Sequence, residues 1–595
     1  MAESGMSGVL VALLVLSASI LIPTSWPPTP SPSVKLFQGT VVGKVTVAEG
    51  TGVELEQFLG IPFALPPTGD LRFRAPQKIL DDESRVIKAT EYGYACLQPP
   101  WPGRYHVSDP KAMSEDCLNL NVIRPKSHLG ELSLPVMVWI HGGAFVLGGS
   151  SVYNGSELVA QSVKLGRPII YVSINYRLNL FGFLASPLIE ESDDAHLNAG
   201  LHDQRLALWW IQRNIGAFGG DPSKVTVFGE SAGAMSIAAH LLWNHGRGAE
   251  QLFGGAILQS GAASGFPVPE PLDHAQAFQD FNGRLDCNSS STEKAVLSCL
   301  RKVPSEILYR DMVDTMLMDR IEQLAAASLH RPFAFVQDAR KGMDGFIYDL
   351  PSVIIQNGHI AKVPIIIGAN LDEGTMFAPR DLKDEKTLEE YIRVGWIFPA
   401  ESNKGARLTR KLLSKYPDDP SLGKTNQYKR FSSIIGDYLL DSGRRMQALA
   451  TSKLGVPVWN YLFEHCPIEP PNPHWGVHHS AEIPYGESSP SIVLPLCLSS
   501  PPAFGVHATR KDEHGDVSRY LLAAWINFAY DLDPNGRLAS DGAPGSLVWP
   551  KYTVDKRLTL NIRTPLKTKV VNDDYRGDAI QWVGSDLEFN RATRR

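Results

Sequence analysis

Short apolar runs alternate with longer amphipathic stretches from about residue 135 onward. Apolar runs of this length are typical of strands buried on both faces, and their alternation with helices predicts a mainly parallel sheet covered by helices. The predicted strands are Val136–Ile140, Ile169–Ile174, Val225–Phe228, Gly255–Leu258, Val363–Ile367 and Val458–Phe463. Leu206–Ile215 has a strong helical pattern between the second and third of them. The fold class predicted is therefore α/β.

The flanking regions have other patterns. Alternating Val and Thr at Thr40–Val47 predicts an antiparallel strand at the sheet edge. Residues 270–335 and 375–450 have largely helical patterns, and we expect them to form insertions that wall the active site. Residues 35–590 are expected to form one domain, because α/β enzymes of this size often do. A Pro/Ser-rich tether at 23–34 would precede it.

The amino end predicts export. Within residues 1–22, Val9–Ile22 has the length of the apolar part of a signal peptide and is short for a membrane span. A cleavable signal is the favoured interpretation, although the preceding residues lack Lys and Arg; an uncleaved anchor or a wrong start codon are the alternatives. Sequons at Asn154 and Asn288 and six cysteines agree with a secreted glycoprotein.

Charge and motif content exclude several classes of function. A net charge of −6 and the lack of a long basic run argue against nucleic acid as a partner. No HExxH or similar cluster occurs, so neither a metal nor an organic cofactor is expected.

The segment 225–238 carries the most informative motif. Gly229-Glu230-Ser231-Ala232-Gly233 joins a β-branched strand to a helix of small residues. This is the arrangement of the nucleophile elbow of α/β-hydrolases, which holds a strained serine at the carboxyl end of a strand. The context predicts Ser231 as a nucleophile, with a plain strand–helix connector as the alternative.

A serine nucleophile requires a base and an acid. The base takes the hydroxyl proton during attack, and a carboxylate orients the base. In α/β-hydrolases both follow the serine, the acid first. Glu373, after a predicted strand, is the candidate acid, with an ordinary acidic surface loop as the alternative. His478 and His479 are both candidate bases, and chemistry alone leaves the choice open.

The segment His141-Gly-Gly-Ala-Phe145 is a candidate oxyanion hole. It follows the strand Val136–Ile140, as the HGGG-type loop of esterases does. A loop nearly bare of side chains lets backbone N–H groups approach a tetrahedral oxygen. A glycine turn without function is the alternative.

Several long motifs, in the same order, resemble those of the type-B carboxylesterase/lipase family, which includes carboxylesterases, cholinesterases and fungal lipases. The matching segments are Gln57–Ala64, Leu71–Pro76, Ser114–Val122, Asn175–Arg177, Gly200–Leu208, Phe218–Pro222, Gln259–Gly261 and Trp549-Pro550. The resemblance implies an α/β-hydrolase fold and a cofactor-free serine hydrolase acting on small-molecule esters.

The resemblance also implies roles for individual residues. Ser231, Glu373 and His479 would be the nucleophile, acid and base, because the family places the catalytic histidine three residues before a glutamate, here Glu482. The oxyanion donors would be Gly143, Ala144 and Ala232, with Ser260 and Glu230 supporting the site from behind. The implied disulfides are Cys96–Cys117 and Cys287–Cys299, whereas pairing of Cys466 with Cys497 stays open.

The loop after Cys96 departs from two branches of the family. Cholinesterase-like members hold a choline-binding tryptophan there, but Trp101 lies close behind Cys96 in a shorter loop that aligns poorly. The same loop is the lid of the family's lipases. A short lid favours soluble or moderately hydrophobic esters.

The sequence thus predicts a carboxylesterase that works through an acyl-enzyme. A lipase or sterol esterase acting at interfaces is the nearest alternative, and a non-catalytic adhesion protein on the same fold is a more distant one. Acyl chain length, transient contact with a lipid interface and oligomeric state stay open.

Overall fold

The computed structural model describes residues 31–100, 107, 109–126, 133–288, 292–317, 335–338, 345–396, 402–421, 426–466, 474–486, 511–536, 547–564 and 567–595. The apolar segment Val9–Ile22, most of the tether, Trp101 and Cys497 lie outside these residues.

The described residues are organised around an 11-stranded sheet in the order β16-β15-β14-β13-β12-β11-β9-β10-β8-β4-β3. The strands are β1 (Ser33–Leu36), β2 (Gly39–Val42), β3 (Lys44–Val47), β4 (Glu54–Pro62), β5 (Val86–Lys88), β6 (Ala95–Cys96), β7 (Met113–Ser114), β8 (Asn119–Pro125), β9 (Leu134–Ile140), β10 (Ile170–Ile174), β11 (Gly220–Glu230), β12 (Gly255–Gln259), β13 (Ile365–Asn370), β14 (Val458–Phe463), β15 (Leu558–Ile562) and β16 (Lys569–Asn572). Neighbours from β15 to β10 are parallel, and the outer strands are antiparallel. The α/β-hydrolase fold expected from the sequence is confirmed.

Each of the six predicted core strands is present. Val458–Phe463 has the predicted bounds, and the other five are shifted at one or both ends. The predicted edge strand Thr40–Val47 is instead divided between two sheets. Its first half, β2, pairs with β1 and β5 in a separate three-stranded sheet, and β3 pairs with β4 at the edge of the main sheet. The chain changes sheets at Gly43, where a Cβ would lie 2.4 Å from the carbonyl oxygen of Gln57.

Helices cover both faces of the sheet. They are α1 (Ser156–Lys164), α2 (Asn179–Phe183), α3 (Pro187–Glu191), α4 (Ala199–Asn214), α5 (Ala232–Gly246), α6 (Ala275–Arg284), α7 (Glu293–Lys302), α8 (Ser305–Leu317), α9 (Pro351–Gln356), α10 (Glu385–Trp396), α11 (Ser402–Leu413), α12 (Asn426–Gly436), α13 (Ser442–Lys453), α14 (Ile483–Gly486), α15 (Glu513–Asp531), α16 (Gly577–Ser585) and α17 (Leu587–Ala592). A π-helical turn, Asp437–Asp441, joins α12 to α13. The predicted helical insertions correspond to α6–α8 and α10–α13.

Alternating side chains of β9 separate two apolar cores. Val136, Val138 and Ile140 pack in one core with α4 and α5, and Met137 and Trp139 pack in the other with α1 and α15. This is the period of two that a strand buried on both faces requires. The sheet is therefore a rigid platform whose carboxyl-end loops can hold side chains in fixed positions.

Two disulfides, Cys96–Cys117 and Cys287–Cys299, are present as the resemblance implied. Cys466 is exposed, and its candidate partner lies outside the described residues. Within the described ranges, no helix is long and apolar enough to cross a membrane.

A buried ion pair ties the segment after β10 to α4. Arg177 donates from its backbone N, Nε and Nη2 to the carboxylate of Asp203, over 3.0, 2.8 and 2.6 Å. The side chains are 3% and 0% exposed. Removing one partner would leave the other charge buried and unpaired.

We expect Asp203→Asn to lower the free energy of unfolding by about 3–5 kcal/mol, because the guanidinium of Arg177 would lose its counter-charge. Chemical denaturation measures this loss. The matched control is Glu83→Gln, which breaks the exposed pair between Lys35 and Glu83 and should change stability little. Equal effects of both substitutions would contradict the expectation.

Candidate active site

The elbow between β11 and α5 holds Ser231 in a strained conformation. Its backbone angles are φ 56° and ψ −124°, which a residue with a side chain rarely adopts. The turn is pressed against the end of β9, since a Cβ on Gly233 or Gly229 would lie 2.0 or 2.6 Å from the carbonyl oxygen of Ile140. Glycine at these two positions is what allows the close approach.

The loop His141–Phe145 follows β9 and has an unusual backbone. Gly143, Ala144 and Phe145 have φ values of 107°, 54° and 62° in succession. Two of these residues carry side chains, so the left-handed conformation is held against a local cost. Such a conformation turns successive N–H groups towards one side.

This loop and the elbow lie side by side. A Cβ on Gly142 would be 3.1 Å from the Cβ of Ser231. Within the described residues, the N–H groups of Gly143, Ala144 and Ala232 donate to no protein acceptor. Three free donors beside a serine are what an oxyanion hole requires.

Glu373 and His479 meet at the same edge of the sheet. Glu373 starts a 3₁₀ turn after β13, and His479 lies in the loop before α14. The Nδ1 of His479 lies 2.6 Å from Oε2 of Glu373. The other carboxylate oxygen accepts from Ser260 Oγ at 2.5 Å and from the backbone N of Asn370 at 2.6 Å. These contacts fix the carboxylate, which in turn orients the imidazole.

The second imidazole nitrogen faces a different carboxylate. Nε2 of His479 lies 3.1 Å from Oε1 of Glu230, an oxygen that also accepts from Ser480 Oγ at 2.6 Å. No hydrogen bond joins His479 to the Ser231 hydroxyl in the part of the chain that the structure describes. Catalytic hydrogen bonds are often long in substrate-free enzymes.

Buried carboxylates set the protonation of this site. Burial alone lowers the pKa of His479, but the charges of Glu230 and Glu373 outweigh burial and raise that pKa to about 9. Burial raises the pKa of Glu230. Burial and the charges of Glu230 and Glu373 raise the pKa of Glu482 to about 8. The site therefore retains protons at neutral pH, shared among closely spaced groups.

The structure separates the two candidate histidines. Nδ1 of His478 contacts the backbone oxygen of His479 at 2.5 Å, and its ring packs against Trp475. Asp372, beside Glu373, accepts from the backbone N of Val477 at 2.9 Å. His479, and not His478, therefore faces the acid.

Three contacts at this site were not predicted from the sequence. Asn370 holds both Glu373 and, through its amide, Glu482. Ser480, at φ 69°, holds Glu230. In the sequence, only position could have indicated these two residues. Asn370 ends a core strand three residues before Glu373, and Ser480 directly follows His479.

Aromatic side chains surround the site. The ring of Phe145 packs against Phe183, Phe266 and Phe335, with centroid distances of 5.1, 6.1 and 5.6 Å. Phe377 lies 5.2 Å from the ring of His479. An apolar lining of this kind suits a substrate with an apolar acyl or alcohol group.

His141 supports the oxyanion loop from behind. Its ring stacks on Tyr176 at 4.4 Å, and the Tyr176 hydroxyl donates to the His141 carbonyl at 2.8 Å. Burial lowers the pKa of His141 to about 4, so the ring is neutral at physiological pH.

The predicted glycosylation sites are Asn154 and Asn288. The Asn288 side chain is exposed, and Asn154 is half-buried, with Oδ1 accepting from the backbone N of Ser156 at 3.1 Å. Among the described ranges, no group of three or more His, Cys, Asp or Glu side chains is arranged to hold a metal ion.

Comparison with known proteins identifies the family of this chain. The model of the carboxylesterase family matches residues 30–581, and the chain belongs to this family. It is 34% identical over 579 residues to lipase 4 of Diutina rugosa, covering 91% of this chain and 92% of that protein. It is 32% identical over 616 residues to lipase 2 of Geotrichum candidum, covering 97% and 99%.

A third relative is the secreted triacylglycerol lipase LIP1 of Gibberella zeae, 30% identical over 590 residues that cover 93% of this chain and 90% of that protein. The family and these relatives make the protein a carboxylic ester hydrolase. The alternative of a non-catalytic adhesion protein does not fit these matches.

We expect Glu230→Gln to move the acidic limb of the kcat/KM profile to lower pH by about one unit. The negative charge of Glu230 raises the pKa of His479, so its removal lets the imidazole lose its proton at lower pH. Ester hydrolysis measured from pH 5 to pH 10 gives the limb. Glu83→Gln, far from the site, is the control, and an unmoved or raised limb would refute the expectation.

Proposed function

We propose that Ser231, His479 and Glu373 act as nucleophile, base and acid in hydrolysing carboxylic esters through an acyl-enzyme. The observation that carries the proposal is the 2.6 Å contact between His479 Nδ1 and Glu373, at the edge where strained Ser231 lies beside unpaired N–H groups.

In the first half-reaction, Nε2 of His479 takes the proton of Ser231 while Oγ attacks the ester carbonyl. The carbonyl oxygen becomes an oxyanion. His479 then gives the proton to the departing alkoxide, and the acyl group stays on Ser231. In the second half-reaction, His479 takes a proton from a water molecule while that water attacks the acyl carbonyl. His479 then returns the proton to Ser231 Oγ as the carboxylic acid product departs.

The carboxylate of Glu373 stabilises the imidazolium. The contacts from Ser260 and Asn370 keep its carboxylate aimed at Nδ1. We therefore assign Ser260 the role of a supporting residue that orients the carboxylate of Glu373.

The oxyanion would accept from the backbone N–H groups of Gly143, Ala144 and Ala232. Because the loop and the elbow already hold these groups without an acceptor, no reorganisation is needed when charge develops. Each such donor contributes roughly 10²–10³ in kcat in related chemistry.

Two substrate classes remain for this site. Our first proposal is a carboxylesterase for soluble or moderately hydrophobic esters, because the loop after Cys96 is short. A lipase or sterol esterase acting on long-chain esters at interfaces is the second, because the relatives reported above, which cover more than 90% of this chain, are named lipases. We further propose export of the protein, since one of these relatives is named as secreted.

Ser231→Ala should lower kcat/KM by at least about 10⁴, because the nucleophile is lost and only binding and the oxyanion hole remain. The measurement is hydrolysis of p-nitrophenyl esters from acetate to palmitate, with thermal unfolding as the control for folding. Substantial activity in a folded Ser231→Ala protein would contradict the mechanism.

The same ester series separates the two substrate classes. A maximum at short chains supports the carboxylesterase. A maximum at long chains, raised further above the solubility limit of the ester, supports the lipase.

A further inference from the structure

A second cleft lies at the other end of β11 from Ser231. It has a volume of about 370 Å³ and is formed by the carboxyl half of α4, the β1–β2 turn and residues 78–81. Gln212 of α4 donates to the carbonyl of Pro222 at 2.8 Å, which places the cleft beside the first residues of β11. None of its lining residues belongs to the proposed active site. Its volume is that of a small-molecule site, for which about 300–1,000 Å³ is usual.

Aromatic rings form both its floor and its rim. Phe63 and Trp210 are 2% and 6% exposed and form the buried floor. Phe37 and Trp209 at the rim are 52% and 43% exposed. Rings left this open to water gain from being covered by an apolar ligand.

The amide groups of the cleft are already occupied. Gln38 donates to the carbonyl of Pro62 and accepts from Trp210 Nε1, both at 2.8 Å. Gln212 donates to two carbonyls, and Asn214 donates to that of Trp210 at 2.9 Å. These contacts leave few free donors for the hydroxyl groups of a sugar, so the lining argues against a carbohydrate ligand.

The charged groups of the cleft favour an anion. Its lining holds two cations, Lys78 and Arg213, and one carboxylate, Asp81, a net charge of +1. Nη2 of Arg213 lies 2.8 Å from Oδ2 of Asp81, and Cζ of Arg213 lies 4.5 Å from the centre of the Phe37 ring. Lys78 is exposed and forms no ion pair within the described residues, so its charge is available to a ligand.

We propose that this cleft binds amphiphilic carboxylates, with the apolar body against Trp209 and Phe37 and the carboxylate beside Lys78 and Arg213. Such a ligand contacts both the exposed aromatic rings and the unpaired cation. A neutral lipid or a sugar would not use these two features together. The site does not depend on the catalytic roles proposed above.

The test is calorimetric titration of the full chain with decanoate, kept below its critical micelle concentration. The acyl pocket is filled before the titration in one of two ways. Either Ser231 is blocked with a long-chain alkylphosphonate, or the Ser231→Ala protein is saturated with a non-reactive ester of the same phosphonic acid. We expect one saturable binding event, weakened at least about tenfold with decanol in place of decanoate.

Variants locate the event. Lys78→Glu and Trp209→Ala should each weaken decanoate binding at least about tenfold, through lost charge and lost apolar contact. Trp209→Phe should retain most of the affinity. Lys88→Glu is the matched control, because Lys88 is an exposed lysine of β5 that does not line the cleft, and it should leave binding unchanged.

Absence of binding in the blocked protein would overturn the proposal. So would binding that Lys78→Glu and Trp209→Ala leave unchanged, since the ligand would then lie elsewhere. Equal affinity for decanol and decanoate would also overturn it, because the cleft would then be an apolar groove without selectivity for the carboxylate.

Discussion

The backbone of the elbow passes so close to the end of β9 that no side chain fits between them. A Cβ on Gly233 would lie 2.0 Å from the carbonyl oxygen of Ile140. Because β11 must turn into α5 within this space, Ser231 is forced to φ 56°, and its hydroxyl stands at the carboxyl edge of the sheet. The loop that leaves β9 is held against the same turn. The proposed nucleophile and oxyanion donors are therefore positioned by the contact between the elbow and the end of β9.

The second constraint is electrostatic. His479 is 5% exposed and lies among the buried carboxylates of Glu230, Glu373 and Glu482. Glu373 orients the ring, whereas Glu230 lies 3.1 Å from the second ring nitrogen, which the proposed mechanism directs at Ser231. In the proposed mechanism these charges stabilise the imidazolium after proton transfer, and they also raise the pKa of the resting imidazole. Ser480 Oγ donates to the same oxygen of Glu230.

Much of this could be predicted from the sequence, for identifiable reasons. Core strands follow from apolar runs, and Ser231 follows from a motif whose glycines have a steric purpose. The choice of His479 needed the family's spacing, because neighbouring histidines are chemically alike. Asn370 and Ser480 could not be predicted, since their contacts depend on loop conformations that leave no pattern. The cleft joins Phe37, Lys78 and Trp209, which the fold alone brings together.

The most direct test of the catalytic geometry is a crystal structure of the protein after reaction with a p-nitrophenyl alkylphosphonate. The account predicts phosphorus bonded to Ser231 Oγ, and its oxygen accepting from the N–H groups of Gly143, Ala144 and Ala232. It also predicts that His479 Nε2 has left Glu230 and lies within hydrogen-bond distance of Oγ. An adduct on another residue, or a phosphonyl oxygen pointing away from these three N–H groups, would contradict it.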